Sequence, residues 1–151
     1  MKKIVTICIV SLLMLSAVLL SGCGQNDAAM KDGYYSAEMS DYSHGWKEYI
    51  TICVSGGKVV SAEYNARNAS GFIKSWDMAY MRLMNMIAGT YPNRYTRTYA
   101  GELLAEQSAG DIDAISGASH SYETFTQLAA AVLEHAQNGD MSIAIVQSAD
   151  E

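Results

Sequence analysis

A chain of 151 residues carrying 16 acidic and 10 basic side chains has the length of one domain with its own core and a net charge of −6. That acidity disfavours nucleic acid and an anionic bilayer surface as partners. The three cysteines and three histidines show neither metal-ligand spacing nor a Cys-x-x-Cys or haem motif, so no metal site is expected.

The chain opens on Lys2 and Lys3, followed by an almost wholly apolar run from Ile4 to Leu20 that closes on Ser21, Gly22 and Cys23. A positive start, a short apolar stretch and small residues at its end read as a secretory signal over residues 1–22. The Leu20-Ser21-Gly22-Cys23 ending resembles the bacterial lipobox. The resemblance implies cleavage before Cys23 and lipid on its thiol and new amino end. Acyl chains each contribute ~0.8 kcal/mol per buried methylene, so several of them hold a protein firmly on a membrane. Residues 23–31, with the polar, small-residue stretch Gln25–Lys31, then read as the lipidated Cys and a short tether. Cys8 falls in the signal and Cys23 takes lipid, so Cys53 has no partner for a disulfide and is expected as a small buried apolar residue.

The folded part is expected over 32–147. Gly33 marks a turn, Tyr34–Glu38 reads as a first strand, and Ser40–Trp46 as a loop. Ile50, Ile52 and Val54 alternate with Tyr49, Thr51 and Cys53, the period of a half-buried strand. Val59–Tyr64 resumes after Gly56-Gly57, so the two strands form a hairpin. Asn65–Gly71 reads as a loop.

Ser75–Ala88 is expected as a helix capped by Ser75. Trp76, Tyr80, Leu83, Met84 and Ile87 form its core stripe, and Gly89 and Pro92 end it. Asn93–Gln107 carries Tyr95, Tyr99, Leu103 and Leu104 near helical spacing. Ser108–Ser119 reads as a loop with Ile115 turned inward. Ser121–Gln137, with Phe125, Leu128, Ala129, Val132 and Leu133 on one side, is the clearest amphipathic helix, ended by Asn138-Gly139. Met141–Val146 reads as a last strand. The order predicts an α+β fold: a small antiparallel sheet with two to three helices packed on it.

Between the second and third of these helices lies Asp113-Ala114-Ile115-Ser116-Gly117-Ala118-Ser119. Gly117 and Ala118 leave the backbone accessible, and Ser116, Ser119 and Ser121 offer hydroxyls. The helix that follows leaves unpaired N–H groups and a partial positive charge at its start. A phosphate docks at such a place without any basic side chain. Serines before a helix are equally ordinary capping material, so the residues alone leave both readings open.

The run resembles the Asp-x-x-Ser/Thr-Gly-Ala-Thr/Ser signature of the bacterial FMN-binding domain family, whose extracytoplasmic lipoproteins share several further features with this chain. These are the lipobox, an Asp32-Gly33-Tyr34-Tyr35-like start, a hairpin like Val54–Val60, an Asn-Ala segment like Asn65–Ala69, and His120-Ser121 after the signature. The resemblance spans residues 32–137. It implies FMN joined by a phosphoester to Ser119, with Ser116, Gly117 and Ala118 forming the phosphate turn and His120 beside the group. It also implies that Asp113 is read by a magnesium-dependent flavin transferase that installs FMN from FAD outside the cytoplasm. Ser119 stands where Thr is commoner in the family; it keeps the hydroxyl and lacks the methyl that limits χ1.

The isoalloxazine ring is flat and aromatic, and Tyr35, Tyr42, Trp46, Trp76 and Tyr122 are the stacking candidates, with packing of a small core as their other use. The function implied is an electron-transfer flavoprotein, lipid-anchored on the extracytoplasmic face of the cell membrane. It would relay electrons between a redox donor and an acceptor that the sequence leaves unidentified. The alternative is a lipoprotein that binds flavin or another small ligand non-covalently, as a sensor. An enzyme with its own substrate is not expected: Ser119 and His120 are neighbours at a helix start and point in different directions, so no nucleophile–base pair is apparent, nor a third orienting group.

Overall fold

The computed structural model describes residues 29–148; the signal segment and Cys23 lie outside the described residues. Three strands, β1 (Gly33–Met39), β2 (Lys47–Ser55) and β3 (Lys58–Arg67), pair antiparallel in sequence order. A short β4 (Ala144–Val146) joins the far edge parallel to β1, giving a four-stranded mixed sheet of order β3-β2-β1-β4. Three helices, α1 (Met78–Ala88), α2 (Pro92–Glu106) and α3 (Ser119–Asn138), complete the α+β fold.

Alternation decides which face of the sheet is covered. Tyr35, Ala37 and Met39 of β1 point inward with Ile50, Ile52 and Val54 of β2 and Val59 and Tyr64 of β3. Tyr95, Tyr99 and Leu103 of α2 and Phe125, Leu128, Ala129, Val132 and Ala136 of α3 close over them. Each large side chain so buried contributes roughly 1.5–3 kcal/mol. The opposite face is polar: Ser36 and Thr51 share a 2.8 Å hydrogen bond, and Glu38 pairs with Lys47 at 2.9 Å and with Arg67. Burial alone would raise the Glu38 carboxyl, but the two cations together hold it below its ordinary value. Cys53 lies half-buried on this face beside Tyr34, not in the core.

The hairpin turns on Gly56 (φ 61°) and Gly57 (φ 74°), two successive left-handed residues of the kind a tight two-residue turn requires. β3 runs further than its side chains suggest. Asn65, Ala66 and Arg67 continue the ladder opposite Tyr49, Glu48 and Lys47, so the loop begins only at Asn68. Pairing with β2 overrides the weak strand propensity of Asn65, whose amide is bound at 2.8 Å to Ser75 Oγ. Ser75 is therefore buried in a 3₁₀ turn, Lys74–Trp76, and caps nothing. Asp77 caps α1, accepting from the Tyr80 N–H at 2.9 Å. Ile112 and Ala118 are the buried residues of the loop before α3, while Ile115 is half-buried.

α1 overturns one expectation outright. It has no buried residue: Leu83 is 52%, Met86 77% and Ile87 77% exposed, and Trp76 just before it 64%. Of its apolar stripe only Tyr80, against Trp46, and Met84, against the edge of the core, are half-buried, and the helix leans on the Lys74–Trp76 turn more than on the sheet. Periodicity marks an amphipathic face and is silent on what covers it.

The long helices run parallel. α3 ends where Ala136 and Asn138 accept from the Lys31 backbone and side chain, each at 2.9 Å. α2 ends where Gln107 binds the N–H and C=O of Val59, beside the hairpin. Met30 also packs here, so the chain enters the domain at the hairpin pole. Both helices aim their amino ends at the opposite pole, about 30 Å away along a 20-residue α3.

These packing differences separate two substitutions. Phe125→Ala should cost about 3–5 kcal/mol in urea unfolding. Leu83→Ala on α1 should stay within roughly 0.5 kcal/mol of wild type. An equal loss at both positions would contradict the placement of α1.

Candidate functional site

The pole that receives the two helix amino ends holds a cleft of about 790 Å³, within the usual range for small-molecule sites. Tyr42, Ser43, His44 and Trp46 of the β1–β2 loop form one side of it, and Tyr80 and Met84 of α1 another. Tyr95 of α2 and residues 117–121 of α3 and its approach line the remainder, with Glu48 and Lys74 reaching in from β2 and the 3₁₀ turn.

Ser119 is the first residue of α3 and is exposed at the cleft. Ala118, at the N-cap, has no side chain that could accept from the helix's first N–H groups, so no side-chain cap occupies that end. The turn leading to it is built tightly. The Ala118 N–H donates to Ile115 O at 2.9 Å. The Tyr99 hydroxyl lies beneath, accepting from the Ile115 N–H at 3.1 Å and reaching Ala118 O at 3.5 Å. Gly117 sits at φ 80°, and a Cβ there would overlap the carbonyl oxygen of Ala88. Only glycine suits that position, on both counts.

Of the signature residues, Gly117, Ala118, Ser119 and His120 line the cleft; Asp113 and Ser116 are exposed and outside its lining. Asp113 lies near Glu102 of α2. Burial raises the Glu102 carboxyl, and the charges of Asp113 and Glu106 raise it further. Of the five aromatic stacking candidates, the cleft takes Tyr42 and Trp46. Tyr35 is a core residue with its hydroxyl on Lys31 O, Trp76 projects outward, and Tyr122 packs on Tyr99 at 6.1 Å.

The floor contains groups that sequence reasoning did not single out. Glu48 is 7% exposed and takes hydrogen bonds from the Tyr64 hydroxyl at 2.7 Å and Ser121 Oγ at 3.2 Å. Lys74 is 9% exposed, with Nζ 4.0 Å from Glu48 and 5.3 Å from the centre of the Tyr80 ring. Burial holds the Lys74 amine below its ordinary value despite the attraction of Glu48. Burial likewise pushes the Tyr64 and Tyr95 hydroxyls well up, and the Glu48 charge adds to both. Glu48 shares the face of the apolar Ile50, Ile52 and Val54, and that inward register was the available signal. Lys74, in a break between strand and helix, gave none.

A protein from Treponema pallidum (strain Nichols), the 15 kDa lipoprotein, is 32% identical over 125 residues, spanning 82% of this chain and 87% of that protein. The crystal structure of the CPE2226 protein from Clostridium perfringens is similar over 80% of this chain and 99% of that one, with a TM-score of 0.76 and 34% identity. A solution structure from Clostridium thermocellum matches 71% of this chain and 92% of its own, with a TM-score of 0.48 and 29% identity. No family model matches.

Two measurements probe the site. Tyr99→Phe keeps the ring and removes the hydroxyl under the turn, and should cost about 0.5–1.5 kcal/mol in urea unfolding. The pH dependence follows from the floor. Tyr64 and Tyr95 titrate higher in the fold than at the ordinary 10.0, so the native state binds more protons above about pH 10. Their contribution is complete below that pH and is lost above it. Lys74, lowered from 10.5, has the opposite slope, which ends by pH 10.5. Urea midpoints should therefore fall beyond about pH 10.5, and Tyr64→Phe should flatten the fall.

Proposed function

This chain belongs to the lipoprotein family of the 15 kDa lipoprotein of Treponema pallidum, and from that premise we propose that it is a lipid-anchored extracytoplasmic flavoprotein. Its FMN is carried on Ser119 and relays electrons. The observation that carries the reading is Ser119 itself: an exposed hydroxyl on the first residue of a 20-residue helix without a side-chain cap, at the edge of the cleft. The residues suit the group. An open helix amino end favours the negative charge of a phosphodiester, and Gly117 keeps the turn free of side chain. Tyr42, Trp46 and Tyr80 offer aromatic surface to a flat ring.

Attachment needs only a hydroxyl from this chain. As Ser119 Oγ bonds to the phosphorus of the flavin half of FAD, the pyrophosphate P–O bond breaks, AMP leaves with the bridging oxygen, and the hydroxyl proton is released. A separate magnesium-dependent flavin transferase supplies the catalysis, and Asp113, exposed on the approach to the turn, is open to its recognition. FMN, once attached, supplies one- and two-electron transfer. The chain's own residues hold the phosphate at α3, screen the ring from water and set the charge around it.

The hairpin pole, where the chain enters from the tether, lies at the far end of α3 from Ser119. Lipid on Cys23 thus anchors one end of the domain and leaves the cleft at the other, accessible to a donor and an acceptor.

Co-expression with a flavin transferase should add the mass of FMN less one water to the intact chain. Ser119→Ala should abolish the gain, and Ser119→Thr should retain it. A gain that survives Ser119→Ala sinks the phosphoester. A flavin that dialyses away, with no gain in mass, supports the non-covalent binding lipoprotein instead. Cys23→Ser should release the protein from the membrane fraction.

A further inference from the structure

Lysine is almost never buried without a partner, because its ammonium loses hydration that only hydrogen bonds or a close counter-charge replace. Lys74 is 9% exposed and carries three donors. Its contacts among the described residues are Glu48 at 4.0 Å, beyond hydrogen-bond length, and the face of Tyr80 at 5.3 Å. Glu48 is already engaged by Tyr64 and Ser121. The ammonium therefore lines the cleft with its donors unspent, anchored from behind by a carboxylate that the fold holds in place. Tyr80, with Trp46 beside it at 6.3 Å, lines the cleft next to the ammonium and favours a flat partner.

We propose that Lys74 is the ligand-facing cation of this cleft, donating hydrogen bonds to the acceptor edge of a planar heteroaromatic ring. On the flavin reading, on which this assignment rests, that edge is the pyrimidine side of the isoalloxazine, with its two carbonyls and ring nitrogens. Reduction adds negative charge to that side, so a cation there favours the reduced ring. Glu48 acts as a positioning residue, fixing the ammonium without using up its donors.

The test uses riboflavin, which has the ring and lacks the phosphate, titrated into the full unflavinylated chain in detergent and followed by fluorescence quenching. Lys74→Met should weaken binding roughly tenfold or more, the usual effect of losing a charged hydrogen bond, whereas Lys74→Arg should stay within a few-fold of wild type. Leu83→Ala, outside the cleft lining, should leave riboflavin affinity unchanged. If Lys74→Met does not fold, Lys74→Gln, which keeps a donor and loses the charge, should still weaken binding severalfold. On the FMN-loaded chain, Lys74→Met should lower the midpoint potential and Lys74→Arg should restore it. A wild-type chain that does not bind riboflavin, equal affinity in the folded Lys74 variants, or an unchanged potential would each overturn the assignment. Lys74-dependent riboflavin binding without any mass gain at Ser119 would sink covalent attachment alone. A mass gain with Lys74-independent binding would sink this assignment alone.

Discussion

Tyr99 links the core to the site. Its ring is fully buried, stacked on Phe125 at 5.1 Å and tilted against Tyr64, Tyr95 and Tyr122 at 6.1–6.3 Å. Its hydroxyl meets the backbone of Ile115 and Ala118. One side chain thus ties the sheet, α2 and α3 into a single aromatic cluster and sets the height of the turn that presents Ser119. A phenolic side chain suits this use because one end is apolar and the other polar. Aliphatic packing would have left the Ile115 N–H without its partner, at the cost of a lost hydrogen bond.

The second organising constraint is direction. α2 and α3 run parallel, so the loop between them must return the chain from the hairpin pole to the cleft pole before α3 starts. That return is the signature-bearing segment, and it explains why an exposed loop carries a buried Ile112 and a glycine pressed on Ala88. Two helix amino ends at one pole bring partial positive charge to a cleft whose lining also carries Asp41, Glu48 and Glu123. Lys74, the cation that does reach the cleft, is buried instead of exposed, and its charge is therefore little screened.

Most of the architecture could be read in one dimension because it rests on local chemistry. Alternation placed β1, β2 and β3, the Gly-Gly pair placed the hairpin, and glycines in the left-handed region ended α1 and α3 as expected. The failures share a cause. Ser75 and Asn65 carry ordinary cap and loop side chains, yet they bond to each other across a strand end, a contact with no local signal. The stripe on α1 has helical spacing, but only Tyr80 and Met84 of it turn toward the fold, while Leu83 and Ile87 have no cover among the described residues. At the site, residues 117–120 fell together because they are contiguous. Glu48, Lys74, Tyr80 and Tyr95 joined them from four separate segments, and Trp76 and Tyr122, attractive as aromatics, were turned elsewhere by packing.

The sequence by itself determined the fold class, the last helix to within two residues of its start, and the hydroxyl on offer beside it, because period, capping and turn geometry act over a few residues. Only the tertiary structure decided that this hydroxyl borders an aromatic cleft, and that a buried lysine–glutamate pair forms the floor of that cleft. It alone decided that α1 leaves Leu83, Met86 and Ile87 exposed among the described residues. Those outcomes depend on which surfaces meet once the sheet has chosen its covered face, and nothing within a short window of the chain carries that information.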